Sequence, residues 1–173
     1  MSFSLTPLYS FHEPTDITPA FLERRGIRFL MLDLDNTIAA YSEHSPSDRI
    51  LQWADKMKDR GIILYIVSNS AREGRVGTFA QALGVDAIMS ARKPSRKGLL
   101  RAIGTSGFSA ENSALVGDQI FTDTLAANRA GVVSIIVKPR QQANPILALR
   151  YALEAPFRAA CKNREQGAAD DRI

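Results

Sequence analysis

Residues 29–37 read FLMLDLDNT, four apolar side chains followed by two aspartates with one leucine between them. A run without polar alternation is the pattern of a strand buried on both faces, as in a parallel sheet covered by helices on either side. Two like charges at the tip of such a strand need a separate explanation. The same strand pattern recurs outward along the chain at IILYIVS (62–68), VDAIMS (85–90), SALVG (113–117) and VSIIV (133–137). Between these runs stand helix-like segments. SPSDRILQWADKMKDRG (45–61) has serine caps, Ile50, Ala54 and Met57 at helical spacing, and Gly61 as a stop. REGRVGTFAQALG (72–84), SRKGLLRAIG (95–104) and TDTLAANRAG (122–131) follow, and DITPAFLERRG (16–26) precedes the first strand with a capping threonine, Pro19 and Gly26. The alternation predicts an α/β fold, a doubly wound, Rossmann-like parallel sheet flanked by helices. Trp53, Met57 and Phe79 sit at core spacing. The expected organisation is an N-terminal arm and short helix over 1–26, a catalytic core over 27–138, a C-terminal helical segment packed on it over 139–166, and a tail over 167–173.

A chain of 173 residues with 45% hydrophobic and 23% charged residues fits one soluble domain. The longest apolar runs are too short to span a bilayer, and the first residues lack the basic start and apolar stretch of a signal peptide, so a cytoplasmic protein is expected. The single cysteine, Cys161, cannot form an internal disulfide and has no partner at zinc-ligand spacing. The net charge of +4 is unevenly spread: residues 91–101 carry five basic residues and no acid, and 138–164 six against one. Such clusters favour phosphate-bearing partners, although a solvated basic face is commoner. Aromatic residues are not interleaved with them in a nucleic-acid-binding pattern, which ranks nucleic acid low.

Ligands of open parallel sheets bind beyond the carboxyl ends of the strands. The residues found there are Asp33, Asp35, Asn36 and Thr37; Ser68 and Asn69; Lys93 with Pro94; and Gly117, Asp118 and Asp123. The steps 33 to 68, 68 to 93 and 93 to 118 are 35, 25 and 25 residues, near the roughly 30 that one strand-helix-strand unit requires. An isolated aspartate after a strand is usually a cap or turn residue. Four aspartates in one crevice, facing a phosphate monoester with about two more negative charges, demand a cation. Oxygen ligands without histidine or cysteine point to Mg2+, with Lys93 adding positive charge.

DLDNT at 33–37, SNS at 68–70, the lysine of KP at 93–94 and GDQIFTD at 117–123 together resemble the haloacid dehalogenase superfamily phosphatases, over about residues 27–138. The ITP element at 17–19 and the ARKP context make the chain most similar to the YqeG-type group. This resemblance implies that Asp33 is the nucleophile of an aspartyl-phosphate mechanism, and that Asp35 moves protons and lends its backbone carbonyl to the metal. It also implies that Ser68, Asn69 and Lys93 bind the phosphoryl group and that Asp118 is the second metal carboxylate. Asp123 is expected either behind these, orienting Lys93 or a metal-bound water, or touching the metal itself, while Asn36, Thr37 and Gly117 shape the loops. A non-catalytic phosphate-binding or signalling module on the same fold is the alternative. A signalling receiver, however, has no use for an acid/base at Asp35.

Family members often insert a cap domain, but residues 36–45 leave room only for a flap, so the site should be open and suited to a bulky phosphorylated substrate. His44 in the flap and His12 are expected to be solvated. The segment PILALRYALEAPFRAACKNR (145–164) combines Ile146, Leu149, Leu153 and Phe157 with Arg150, Arg158, Lys162 and Arg164. Pro156 should interrupt it. It could cover the sheet or lie on an anionic membrane, and the latter would fit removal of phosphate from phosphatidylglycerophosphate, an activity known among related proteins.

Overall fold

The computed structural model describes residues 4–141, 145–161 and 163–164. The predicted tail over 167–173 and Lys162 lie outside the described residues. Seven strands form one sheet in the order β4-β3-β2-β5-β6-β1-β7, and every pairing is parallel. They are β1 (Tyr9–Ser10), β2 (Phe29–Leu32), β3 (Ile63–Val67), β4 (Asp86–Ile88), β5 (Ser113–Gly117), β6 (Val133–Ile136) and β7 (Asn163–Arg164). The helices are α1 (Pro19–Arg24), α2 (Asp48–Asp59), α3 (Glu73–Leu83), α4 (Lys97–Ser106), α5 (Leu125–Ala130) and α6 (Pro145–Ala159). No cap domain is inserted among the described residues.

β2 and β5 are buried at every residue, and successive side chains point to opposite faces of the sheet. Leu30 and Leu32 join a core with Phe21, Ile50, Trp53, Met57 and Phe79, beneath α1, α2 and α3. Phe29 and Met31 join a second core with Leu99, Ala102, Ile103 and Ala126, beneath α4 and α5. Two apolar layers on one strand therefore account for the absence of alternation in FLML. The chain runs from β2 outward to β3 and β4, then returns to lay β5 on the other side of β2. The crevice at the carboxyl ends of β2 and β5 is thus the switch point of the sheet, where such folds bind ligands.

Three features depart from the sequence pattern. Within residues 1–26, strand β1 lies beside β6, and Tyr9 and Phe11 pack edge-on against Phe21 at 5.1 and 4.9 Å between ring centroids. A two-residue strand has no periodicity to read. The segment after β5 does not begin as an α-helix: Ile120–Thr124 forms one π-helical turn, and α5 starts only at Leu125. Finally, α6 runs through Pro156 instead of breaking there. Its last turn is tied down by side chains: Arg158 donates to the backbone carbonyls of Val137 (3.0 Å) and Asp118 and to Glu154 (3.2 Å), which offsets the hydrogen bond that proline cannot make. Among the described residues no helix is long and apolar enough to cross a membrane.

Candidate active site

Asp33 directly extends β2, its amide bonded to the carbonyl of Val116 on β5 at 2.9 Å. Asp118 directly follows β5, so the register that aligns Leu32 with Val116 brings the two carboxylates to one place. Asp123 arrives on the π-helical turn. Oxygens of Asp33, Asp118 and Asp123 all lie within 4.8 Å of one another, and all three residues are buried. The approach is close enough that a Cβ on Gly117 would fall 2.3 Å from Cγ of Asp123. Glycine is needed there because the Asp123 carboxylate occupies the space a side chain would take.

Lys93 is the counter-charge. Its side chain is 1% exposed, with Nζ 2.5 Å from Asp33 Oδ1 and 2.8 Å from Asp123 Oδ1. It sits at the end of a loop fastened from β3: the amide of Lys93 donates to Asn69 Oδ1 (2.7 Å) and Asn69 Nδ2 donates to the Lys93 carbonyl (2.9 Å). The Asn69 side chain thus fastens the backbone of Lys93 while still lining the site. Ser68 is buried and its hydroxyl accepts from the amide of Ser70 at 3.0 Å. Thr37 places its hydroxyl between the two strand-end acids, 3.1 Å from Asp33 Oδ2 and 3.2 Å from Asp118 Oδ1. Asn36, in the left-handed region at φ 66°, is fully buried; its amide nitrogen reaches the Tyr151 hydroxyl and the Gln141 carbonyl, both at 2.8 Å, and its oxygen accepts from the Gln141 amide.

The Asp35 side chain stands apart from this cluster. It turns to the flap, where Nε of Arg75 holds it at 3.0 Å. Arg75, from α3, also donates to the flap carbonyls of Ala40 (2.8 Å) and Glu43. Arg140 bonds Glu43 and Gln141 bonds Ser42, so the flap is stapled from two sides. His44 and His12 are exposed.

Three acids against one lysine leave net negative charge out of water. Burial, reinforced by Asp123, pushes Asp33 up to about 6 despite Lys93. Burial, reinforced by Asp123 and Asp33, pushes Asp118 up to about 8. For Lys93 burial acts the other way, but Asp123 and Asp33 outweigh it and hold the ammonium above its usual range. Asp123 Oδ1, although 2.8 Å from that ammonium, accepts no well-aligned hydrogen bond. A compact group of buried oxygens with uncompensated charge and no soft ligand suits a hard divalent cation.

The site opens into a cavity of about 280 Å³ lined by Asp33, Asp35, Ser68, Asn69, Ser70, Lys93, Gln119, Thr122 and Asp123, with Tyr41 and Arg150 at its edge. Burial and the carboxylates of Asp118, Asp35 and Asp33 push the Tyr41 phenol up to about 12, so it remains a neutral donor. Arg75, Tyr41, Arg150, Tyr151 and Arg158 all escape a reading based on strand ends. For the last two a signal existed: Tyr151, Glu154 and Arg158 fall at i, i+3 and i+7, a single stripe of a helix.

The haloacid dehalogenase-like hydrolase family profile matches residues 10–131. A probable phosphatase of Bacillus subtilis, YqeG, is 38% identical over 123 residues, covering 71% of each chain. Among solved structures, 3-deoxy-D-manno-octulosonate 8-phosphate phosphatase of Moraxella catarrhalis, in complex with magnesium, phosphate and the sugar, superposes with TM-score 0.57 at 18% identity, over 82% of this chain and 77% of that one. A Legionella pneumophila hydrolase described as putative subfamily III A gives 0.51 at 16% identity, over 75% and 73%.

Proposed function

Because this chain belongs to the haloacid dehalogenase-like hydrolases and is a phosphatase, we propose that it hydrolyses phosphate monoesters through an aspartyl-phosphate on Asp33, with magnesium as its cation. The observation that carries this reading is the buried group of Asp33, Asp118 and Asp123 within 4.8 Å, set against a single lysine. The carboxylates of Asp33 and Asp118, with the backbone carbonyl of Asp35, would hold the ion, and Asp123 stands beside it. When bound, magnesium supplies the positive charge that lets a dianionic phosphate enter among carboxylates.

Asp33 attacks phosphorus and the bond to the leaving alcohol oxygen breaks as Asp35 gives that oxygen a proton. Asp35 then takes a proton from the water that cleaves the acyl phosphate, returning Asp33 and releasing inorganic phosphate. Lys93 and Ser68 face the phosphoryl oxygens, where charge builds in the transition state. The magnesium in the Moraxella enzyme's complex supports the choice of cation.

The substrate is bulky and presented at a surface. Ile146, Leu149 and Leu153 of α6 are 73%, 63% and 59% exposed, and Arg150 of the same helix stands at the mouth of the site. A helix laid with these residues in an anionic bilayer would bring the mouth to the lipid headgroups, and phosphatidylglycerophosphate is the substrate to try first. Purified protein should release phosphate from an aryl phosphate only with magnesium, and faster from phosphatidylglycerophosphate in vesicles than from soluble sugar phosphates. Asp33→Asn should abolish both. Turnover by that variant would overturn the mechanism, and equal or better turnover of the sugar phosphates would overturn the substrate class.

A further inference from the structure

We propose that Tyr151 is a positioning residue of the cation site: its hydroxyl, delivered by α6, fixes the Asp118 carboxylate in the orientation that receives the divalent ion. The inference rests on the reading of Asp118 as a cation ligand.

Asp118 is fully buried, yet no described cationic side chain bonds its carboxylate. Lys93 reaches Asp33 and Asp123, and Arg158 meets Asp118 at its backbone carbonyl and not at its carboxylate. The carboxylate depends on neutral donors: the Thr37 hydroxyl at 3.2 Å on Oδ1 and the Tyr151 hydroxyl on Oδ2. The direction of the tyrosine's proton is determined. Asn36 accepts from the Gln141 amide through Oδ1, so its Nδ2 donates to the Tyr151 oxygen at 2.8 Å. The one phenolic hydrogen is then left for Asp118. A neutral donor holds the carboxylate without cancelling the charge that attracts a cation, which a lysine or arginine in the same place would do.

The helix carrying this hydroxyl grips the strand-end loop at further points. Arg158 donates to the carbonyls of Asp118 and Val137, buried Glu154 accepts from the amide of Phe121 at 3.1 Å, and Arg150 donates to Gln119. Backbone and side chain of residue 118 are therefore fastened from the same helix. Outer partners that orient a ligand in this way commonly carry ten- to hundredfold in metal affinity.

The test is a Mn2+ titration followed by electron paramagnetic resonance on the wild type, Tyr151→Phe and Asp118→Asn, with circular dichroism as a check on folding. Tyr151→Phe should weaken Mn2+ binding by about tenfold or more, and should raise the magnesium concentration for half-maximal phosphatase rate while the saturated rate is largely regained. Wild-type affinity in Tyr151→Phe, with affinity lost in Asp118→Asn, overturns the role of Tyr151 and leaves the cation reading standing. Wild-type affinity in Asp118→Asn overturns both.

Discussion

At position 117 the need is for an absent atom. Its missing side chain leaves the volume that the Asp123 carboxylate fills, with Oδ2 of Asp123 2.5 Å from where a Cβ would stand. Gly117→Ala should therefore displace Asp123 and slacken its hold on Lys93 at 2.8 Å. The expected outcome is a phosphatase rate reduced at least about tenfold, the scale of losses when a supporting group is moved, measured as kcat/KM on an aryl phosphate with magnesium in excess. The charged members of this neighbourhood were legible in the sequence because they lie at or just beyond strand ends: Asp33 and Asp118 directly follow apolar runs, Lys93 stands in the loop after β4, and the sheet brings them together. Arg75 was not legible. Its partnership with Asp35 depends on the angle at which α3 packs, and nothing local in REGRVG distinguishes a clamp from a solvated arginine.

Among the elements, α6 departs most from its pattern. Its apolar stripe could be read as covering the sheet or as lying on a membrane, and Ile146, Leu149 and Leu153 are exposed while Tyr151 and Glu154 are buried. The reason is what lies beneath the helix. The strand ends present polar loop groups, the Phe121 amide, the Asp118 carbonyl and the Asp118 carboxylate, and a buried polar group must be answered by another polar group. Hydrophobic patterning is informative where the facing surface is apolar, as it is for α2, α4 and the centre of the sheet. Glu154 is the test of this packing. Glu154→Ala removes the acceptor of the Phe121 amide and the partner of Arg158. The cost should be about 1–3 kcal/mol for buried groups left unsatisfied, seen as a lower midpoint in urea denaturation with the slope unchanged. Glu154→Gln, which keeps an acceptor, should lose less.

For the molecule as a whole, strand order was legible only in part. Apolar runs and intervening helices imply a parallel sheet, but the edge strands β1 and β7 are two residues each and leave no trace in composition. The charge held at the switch point also has a global effect. In the folded protein Asp33 and Asp118 are pushed up to about 6 and about 8 from 3.8, chiefly by burial. Between pH 4 and 8 the folded state therefore binds more protons than the unfolded chain, so without a cation stability falls as pH rises through that window. These two groups favour folding most below pH 3.8 and lose that contribution above about 8. Magnesium competes with those protons, so its stabilising effect should grow from pH 5 to pH 8. Thermal midpoints at the two pH values, with magnesium and with a chelator, give the check: an equal rise at both would contradict it.

Tyr151 follows Asp118 by 33 residues, with the π-helical turn, α5 and β6 between them. During synthesis, then, a chain complete through β6 already has every acid of the crevice but none of the helix that steadies one of them. Newly made protein should acquire its grip on the ion as a late event of biogenesis, after strands β1 to β6 have been made.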